Sequence, residues 1–535
     1  MYQMNPFAIP PAGCDPEGLS DKLMAPLTIL ADQVNAINHT VAGFSKYVND
    51  FLLPFVVSTQ YFRNVESERM ITTSPWDSFQ SYLELLEFNY DLSSRNFQAT
   101  LRAINDYGNQ EMKRALEAIA NSLTCSPGEN VEDYVSRQAR MLEMVSRVYP
   151  QAIADIEPEY GFHFERGRDE LVAETDRFLL YQVMPTDPSV TVNPTGKPIL
   201  IVPPYVLGAN ILGFLPGENR SYTHCFANQG IPTYIRILKD IQKTPALQTM
   251  TGEDDTRDTA FFCDKIIERQ GKPVTLNGYC QGGYMAVCNL LTGELDDRVD
   301  ALLTCVSPMD GTRSTGLKDF LTTLPPRFND LAYGTKTLPN GNQVADGLLM
   351  GWVYKLKSIE SETPMVSFFR DMMMLRPKND KPAKISKTAA ALNYWLANER
   401  TDLPLCITEM SFASYNIPIS EDGTLPVKLF GRSLNFKRIA EKEIPWLICY
   451  GERDDLVEKE TALAPADFID VEISPFPKGH VAIATSWSDP RSEFALHTRF
   501  GENKQYRGPV RFQLDLDREL SGESPEQSSG ESSDA

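Results

Sequence analysis

The sequence predicts an α/β protein in which a mainly parallel sheet carries an inserted cap and follows a helical N-terminal domain. Three observations support this fold class. Between about residues 170 and 474, apolar runs that favour strands alternate with helical segments, an order typical of parallel sheets. One run ends in a glycine-rich turn that is followed at once by a helix. The first 156 residues instead show helical spacing and few strand signals.

The N-terminal region has apolar residues at steps of three or four, which is the spacing of one helix face. Examples are Phe44, Val48, Leu52, Phe55, Leu83, Leu86 and Tyr90. Further helices are predicted from 94 to 123 and over 131–149, where Pro150 is expected to end the second one. The apolar stripes are interpreted as core or interface. We assign residues 1–165 to this helical N-terminal domain.

The strand signals lie in the region that follows. The predicted strands are 170–183, interpreted as a pair, 198–202, 233–238, 274–276, 301–306, 445–450 and 468–474. An irregular stretch rich in Met and aromatic residues, about 314–437, stands where a cap would be inserted. We assign 166–510 to a catalytic domain that contains the sheet, and 511–535 to a mostly disordered, acidic, Ser-rich tail.

Composition excludes several function classes. The chain of 535 residues is 42% hydrophobic, enough for a large core, and its net charge is −21. This acidic balance argues against a nucleic-acid partner. Nine dispersed cysteines without metal-ligand spacing indicate free thiols in a reducing compartment. Since there is no secretory signal and no apolar run long enough to cross a bilayer, we expect a cytoplasmic protein without a transmembrane segment.

One turn places a cysteine in the G-x-nucleophile-x-G position: Asn277-Gly278-Tyr279-Cys280-Gln281-Gly282-Gly283. A strand, a sharp turn and a helix are the setting of a nucleophile elbow. Gly278 and Gly282 leave room for the cramped turn, and the helix N-terminus behind Cys280 favours its thiolate. The backbone N–H of Gln281 is placed to stabilise an oxyanion. Taken alone, the motif also fits a buried structural cysteine in a glycine-rich turn.

An acid and a histidine follow the last two predicted strands. An acyl-transfer site needs a base beside its nucleophile and an acid that orients the base. His480 is one of five histidines in the chain, and a glycine precedes it on the loop after the last strand. The order Cys280, Asp454, His480 is the order found in α/β hydrolases. The pattern therefore predicts a catalytic triad on an α/β-hydrolase core.

Three acidic residues compete for the role of triad acid. Asp454 is favoured because it stands three residues after Gly451 and two before Leu456, the usual spacing of such a loop. Asp455 and Glu452 remain alternatives. Some members of this acidic cluster are expected to be no more than a solvated turn.

The choice of a thiol has a thermodynamic meaning. A thioester substrate can pass its acyl group to Cys280 with little loss of free energy, because a thiol replaces a thiol. The acyl-enzyme then stays activated for attack by an alcohol. A serine would form an ordinary ester and lose much of that drive. Cysteine therefore favours transfer from an acyl thioester over simple ester hydrolysis.

Most of the chain after about Gly167 resembles a poly(3-hydroxyalkanoate) synthase. The segments that carry the resemblance are Gly278-Tyr279-Cys280-Gln281-Gly282-Gly283, Leu200-Ile201-Val202-Pro203-Pro204-Tyr205-Val206, Asp454 with Leu456, Gly479-His480-Val481, and Thr401-Asp402-Leu403-Pro404. The preceding helical region is similar in size and position to the N-terminal domain of the single-subunit synthases. The sequence departs from the family where a Trp-Asn-Ser-Asp element reads Leu396-Ala397-Asn398-Glu399, and in its acidic, Ser-rich end.

The resemblance implies a chain-elongating acyltransferase. Cys280, activated by His480 and Asp454, would attack a 3-hydroxyacyl-CoA, and the N–H groups of Gln281 and Val206 would hold the oxyanion. CoA enters as part of the substrate, so no metal or redox cofactor is expected. The implied partners are a growing polyester chain or granule surface and a second copy of the chain in a homodimer. The alternatives are a cysteine-dependent hydrolase, either a depolymerase or an acyl-CoA thioesterase, and a non-catalytic granule protein.

Overall fold

A computed structural model gives the fold of the protein. It describes residues 55, 56, 59, 72–316, 334–351, 364–374, 385–486, 488–489 and 491–493. The predicted tail at 511–535 and the helical stripe that includes Phe44, Val48 and Leu52 lie outside the described residues. Among the described helices, none is both long and apolar enough to cross a membrane.

The described N-terminal region is helical, as predicted. Its helices are α1 (Pro75–Thr124), α2 (Val131–Glu143) and α3 (Tyr149–Asp155). The side chain of Asn130 caps α2 by accepting a hydrogen bond of 2.9 Å from the N–H of Asp133. A π-helical turn, Met144–Val148, joins α2 to α3.

Two helix boundaries were predicted incorrectly. The stretch expected to begin at residue 94 is part of α1, which already begins at Pro75. Pro150 does not end the second helix, because it is the second residue of α3. The helix continues without a break through a π-helical turn, Met144–Val148, just before this proline, and such turns accommodate a proline that cannot donate to the preceding turn.

The described chain divides into two compact units. The first includes Tyr90–Ala154 and residues from Ser358–Ser386, among them the helix Pro364–Met374. Its apolar centre consists of Met141, Val145, Tyr149, Phe368 and Met372. The rings of Tyr107 and Phe369 stack there with centroids 4.5 Å apart.

The second unit is built on an eight-stranded sheet. The strands of the described chain are β1 (Glu170–Glu174), β2 (Phe178–Val183), β3 (Ile199–Val202), β4 (Thr233–Leu238), β5 (Val274–Tyr279), β6 (Val299–Cys305), β7 (Thr335–Thr337), β8 (Gln343–Ala345), β9 (Leu403–Pro404), β10 (Thr424–Leu429), β11 (Arg432–Asn435), β12 (Trp446–Gly451) and β13 (Glu472–Phe476). The order in the large sheet is β1-β2-β4-β3-β5-β6-β12-β13. Strands β4 to β13 in that order pair in parallel, while β2 runs in the opposite direction and pairs antiparallel with both β1 and β4.

Helices join and cover these strands. The remaining helices are α4 (Asn210–Gly213), α5 (Tyr222–Ala227), α6 (Pro245–Gln248), α7 (Gly252–Gln270), α8 (Gln281–Leu291), α9 (Pro364–Met374), α10 (Lys387–Asn398), α11 (Leu405–Asn416), α12 (Lys437–Glu441) and α13 (Lys459–Ala462). Strands β3 and β5 are buried along their whole length, as expected of a parallel sheet covered on both faces. The topology confirms the predicted fold class, an α/β-hydrolase core after a helical N-terminal region.

The insertion between β6 and β12 is more regular than the sequence suggested. Its described residues contain the antiparallel sheets β7-β8-β9 and β10-β11 together with α9 to α12. Strands β7, β8 and β9 are only two or three residues long, too short to show a periodic pattern. The prediction that residues 314–437 lack regular structure was therefore wrong for the residues that the structure describes.

Candidate functional site

The turn after β5 holds Cys280 in a conformation that few residues adopt. Its φ and ψ are 53° and −126°, and the helix α8 begins at the next residue. Such backbone strain costs on the order of 1–3 kcal/mol and persists only where neighbours impose it. The Cys280 N–H donates to Cys305 O over 2.8 Å, and the Cys280 carbonyl accepts from the Gly283 N–H over 2.9 Å. The half-buried thiol is thus presented at the carboxyl end of the sheet.

Close contacts with neighbouring atoms explain the three glycines of the motif. A Cβ on Gly278 would lie 2.2 Å from the Cα of Gly283, and a Cβ on Gly283 would lie 1.9 Å from Ser307 Oγ. A Cβ on Gly282 would lie 2.3 Å from the carbonyl oxygens of both Val202 and Pro203. Because backbone atoms cannot give way, α8 can pack against the end of β3 only if glycine occupies position 282.

Asp454 and His480 meet at the same edge of the sheet. Nδ1 of His480 and Oδ2 of Asp454 are 2.8 Å apart. Oδ1 of Asp454 accepts from the N–H groups of Leu456 at 3.0 Å and Val457 at 2.9 Å. The Asp454 side chain is fully buried, and these bonds fix its orientation toward the imidazole.

The other two candidate acids lie elsewhere. Asp455 and Glu452 are both exposed, and Asp454 is the acid that contacts His480. The sequence spacing had favoured Asp454, and the direction of the loop separates it from Asp455. Within the described residues, the geometry thus brings one acid of the cluster to the histidine.

The environment of His480 favours its charged form. Burial lowers the pKa of His480, but the charges of Asp454 and Cys280 outweigh burial and hold that pKa well above its usual value. The Tyr279 hydroxyl donates to the His480 carbonyl over 2.8 Å, which ties the histidine loop to the residue before the cysteine. Nε2 of His480 is buried, and the Cys280 side chain is among the groups that interact with this imidazole. Nε2 is available to exchange a proton with a reacting group.

The two predicted oxyanion donors stand on α8 and on the loop after β3. Gln281 is the first residue of α8, so its N–H has no partner within the helix. Its side-chain Nε2 donates to Ser411 Oγ over 2.5 Å, which attaches the elbow to α11 of the cap. Val206 lies four residues after β3, on the loop whose first carbonyls contact Gly282. Both backbone groups therefore lie on segments that meet at the elbow.

Sequence reasoning missed a buried polar network that anchors the loop of Val206. The Arg236 side chain is 1% exposed and pairs with Asp255, its Nη2 2.9 Å from Oδ1. The hydroxyl of Tyr205 is hydrogen-bonded to both of these side chains. Nδ2 of Asn289 donates to the other oxygen of Asp255 over 2.6 Å. An arginine inside the apolar run of β4 was the one sequence signal of this network.

No group of three or more His, Cys, Asp or Glu in the described part of the chain is arranged to hold a metal ion.

Comparisons with known proteins identify no family. No protein-family model matches the chain, and no curated protein matches it. Among solved structures, it is similar to naproxen esterase from Bacillus subtilis (10% identity, TM-score 0.34, 70% of this chain and 98% of that chain). It is also similar to an esterase from Rhodococcus sp. ECU1013, with 13% identity and a TM-score of 0.33 over 66% of this chain and 98% of that chain. The thioesterase domain from the curacin biosynthetic pathway shows 12% identity and a TM-score of 0.32 over 60% of this chain and 95% of that chain. Similarities this low establish neither a family nor an activity.

Proposed function

We propose that the protein is an acyltransferase that polymerises 3-hydroxyacyl-CoA into a polyhydroxyalkanoate and releases CoA. The observation that carries the proposal is a cysteine on a strained elbow of an α/β-hydrolase core whose histidine contacts a buried aspartate at 2.8 Å. The resemblance of the motifs around Cys280, Asp454 and His480 to those of poly(3-hydroxyalkanoate) synthases supports the choice of substrate.

Acylation begins with proton transfer from the Cys280 thiol to Nε2 of His480. Because the pKa of His480 is raised, the imidazolium can persist beside a thiolate. The thiolate attacks the thioester carbonyl, and the N–H groups of Gln281 and Val206 hold the resulting oxyanion. The C–S bond to CoA then breaks, and His480 returns the proton to the departing CoA sulfur. The acyl group is left as a thioester on Cys280.

Chain growth uses the same histidine as a base. His480 takes the proton from the 3-hydroxyl of an acceptor as its oxygen attacks the acyl-Cys280 carbonyl. A C–O ester bond forms, the C–S bond to Cys280 breaks, and the proton passes to the sulfur. Asp454 holds the imidazole in the tautomer that both steps need. Thioester formation preserves the free energy that drives ester formation, which supports the choice of cysteine.

Partners and location are part of the proposal. The resemblance supports action in the cytoplasm on a growing polyester chain or granule surface, by a homodimer. Co-sedimentation with polyester granules and the mass in solution measured by light scattering test these two points separately.

The decisive experiment supplies purified protein with 3-hydroxybutyryl-CoA and measures free CoA with a thiol reagent while the acyl product is analysed by mass spectrometry. Polymer with one CoA per incorporated unit supports a synthase. Free 3-hydroxybutyrate identifies a thioesterase that uses water as acceptor and overturns the polymerisation proposal. If no acyl group is found on Cys280 of the wild type, and a Cys280→Ala variant keeps the cellular phenotype, catalysis is overturned. The protein would then be a non-catalytic granule protein.

A further inference from the structure

Part of the cap touches the loop that carries Val206. The indole Nε1 of Trp395, on α10, donates to the Leu207 carbonyl over 3.1 Å. The Thr401 N–H donates to the Val206 carbonyl over 3.3 Å. We call residues 395–401 the brace segment. Two of its hydrogen bonds thus end on consecutive carbonyls of the oxyanion loop.

Glu399 of the brace segment makes the third contact. Nδ2 of Asn210 donates to its Oε1 over 2.6 Å, and Oδ1 of Asn210 accepts from the Phe162 N–H over 3.1 Å. Gly208, with φ of 70°, lies so close that a Cβ there would be 3.0 Å from Oε2 of Glu399. The carboxyl group therefore fits against a left-handed turn of the loop that favours glycine.

The charged and titratable groups that face Glu399 are Arg400, Tyr160 and Tyr394. Burial raises the pKa of Glu399 to about 7, against the opposing effects of the Asn210 hydrogen bond and the Arg400 charge. The Tyr160 hydroxyl is buried without a hydrogen-bond partner among the described residues. Glu399 thus changes charge near neutral pH, and the amide of Asn210 bonds more strongly to the charged form.

Tyr205 and Val206 of the loop pack into the main hydrophobic core, and a cavity lies where the loop meets the brace segment. This cavity of about 530 Å³ is lined by Tyr205, Gly208 and Asn210 of the loop, by the end of β4, and by residues 398–402. Besides this packing, hydrogen bonds hold the loop at Tyr205 through the Arg236 network and beyond Val206 through the brace segment. The orientation of the Val206 N–H is set between these two attachments.

We propose that the brace segment positions the oxyanion loop, with Trp395 and Glu399 as positioning residues that aim the Val206 N–H at the developing oxyanion. Neither side chain is assigned contact with the substrate. This inference rests on the proposed acyl transfer at Cys280, because it concerns a donor that only that chemistry would use.

Two reactions of the same thiol separate oxyanion stabilisation from thiol reactivity. Acylation by p-nitrophenyl acetate passes through a tetrahedral oxyanion, whereas alkylation by iodoacetamide displaces iodide and forms none. Both need the Cys280 thiolate, so the ratio of their rates cancels any change in thiolate fraction or in the folded fraction. The Cys280 peptide is followed by mass spectrometry in each case, since other cysteines are present.

The variants are Trp395→Phe, Glu399→Ala and Glu399→Gln, with Leu171→Ala, an exposed position on β1 outside the brace segment, as control. Trp395→Phe and Glu399→Ala should lower the ratio by about 10-fold to 100-fold, less than the loss of a whole donor, while Leu171→Ala stays within about twofold of wild type. Between about pH 6 and about pH 8 the wild-type ratio should rise through the titration of Glu399. Glu399→Gln should keep the wild-type ratio of the lower pH throughout, because a neutral amide still accepts from Asn210.

Three results overturn the inference. Wild-type ratios in both Trp395→Phe and Glu399→Ala would show that the brace segment does not position a donor. A Glu399→Gln profile that rises with pH as the wild type does would remove Glu399 from that role. Failure of wild-type Cys280 to be acylated, although it is alkylated, would overturn the proposed function together with this inference, whereas a wild-type acylation burst with unaffected variants overturns the inference alone.

Discussion

Replacing Asp454 by asparagine tests the central contact of the site. The side-chain oxygen of asparagine can keep the two hydrogen bonds from Leu456 and Val457, so the loop should retain its course. The contact with His480 is altered, because an amide nitrogen would face Nδ1 at 2.8 Å where a carboxylate oxygen stood. The imidazole must then present a different tautomer, in which Nε2 cannot take the proton from Cys280.

The expected loss can be estimated from the same contact. In serine proteases the corresponding change costs about 10⁴-fold in rate. We expect Asp454→Asn to slow acylation of Cys280 by about 10³-fold to 10⁴-fold, equivalent to about 4 to 5 kcal/mol of transition-state stabilisation. The pKa of His480 should fall, because the charge of Asp454 is a main cause of its raised value.

The assay is single-turnover acylation by 3-hydroxybutyryl-CoA, with iodoacetamide alkylation of the Cys280 peptide measured across pH. The matched control is Asp455→Asn, which makes the same chemical change at the exposed neighbour and should stay within about threefold of wild type. Asp454→Asn within about tenfold of wild type, or equal losses in the two variants, would refute the assignment of Asp454 as the acid that orients His480.

Three further predictions concern the surroundings of the site. Gly282→Ala places a Cβ 2.3 Å from two backbone carbonyl oxygens and should lower the free energy of unfolding by at least about 2 kcal/mol, whereas Gly217→Ala, with open space around it, should change it little; equal melting temperatures would contradict this. Arg236→Met leaves the carboxylate of Asp255 buried and unpaired and should cost about 3–5 kcal/mol in urea denaturation, part of which a second change, Asp255→Asn, restores; an additive double variant would count against the pairing. Burial raises the pKa of Glu399 to about 7, above about 4.3 in an unfolded chain, so wild-type stability should fall as pH rises between these values by at most about 3–4 kcal/mol. Glu399→Gln should lack this fall, and parallel stability–pH curves for the two proteins would show that the carboxyl group is not the cause.

Short sequence patterns were enough to predict the central strands of the sheet and the turn at Cys280, because both depend on residues close together in the chain. Strands β3 and β5 are apolar along most of their length because helices cover both faces. The glycines at 278 and 282 are required by contacts with backbone atoms, and Gly283 by contact with the Ser307 side chain, so these glycines in the sequence indicate the shape of the turn. The predicted end of the strand at 450 placed the acid loop correctly, since β12 ends at Gly451.

What the sequence did not reveal depends on residues far apart in the chain. Tyr205, Arg236 and Asp255 stand on a loop, a strand and a helix, and only the folded sheet brings them together. Trp395 and Leu207 are 188 residues apart, so no local pattern could pair them. Whether Asp454 or Asp455 contacts His480 depends on which side chain the turn directs toward the imidazole. The hydrogen bonds from the N–H groups of Leu456 and Val457 hold the Asp454 side chain in that direction.

In the proposed mechanism both water and a hydroxyl group can serve as acceptor, because His480 would take a proton from either. Selectivity must come from what surrounds the acyl-cysteine. The elbow is attached to the cap through Gln281 and Ser411, and Gln281 is 8% exposed, so the cap restricts solvent on the helix side of Cys280. A site that excludes water slows hydrolysis of the acyl thioester, so that an alcohol can react with it first, whereas an open site favours hydrolysis. Contacts of the cap with α8 and with the oxyanion loop therefore bear on which product forms as well as on how fast Cys280 is acylated.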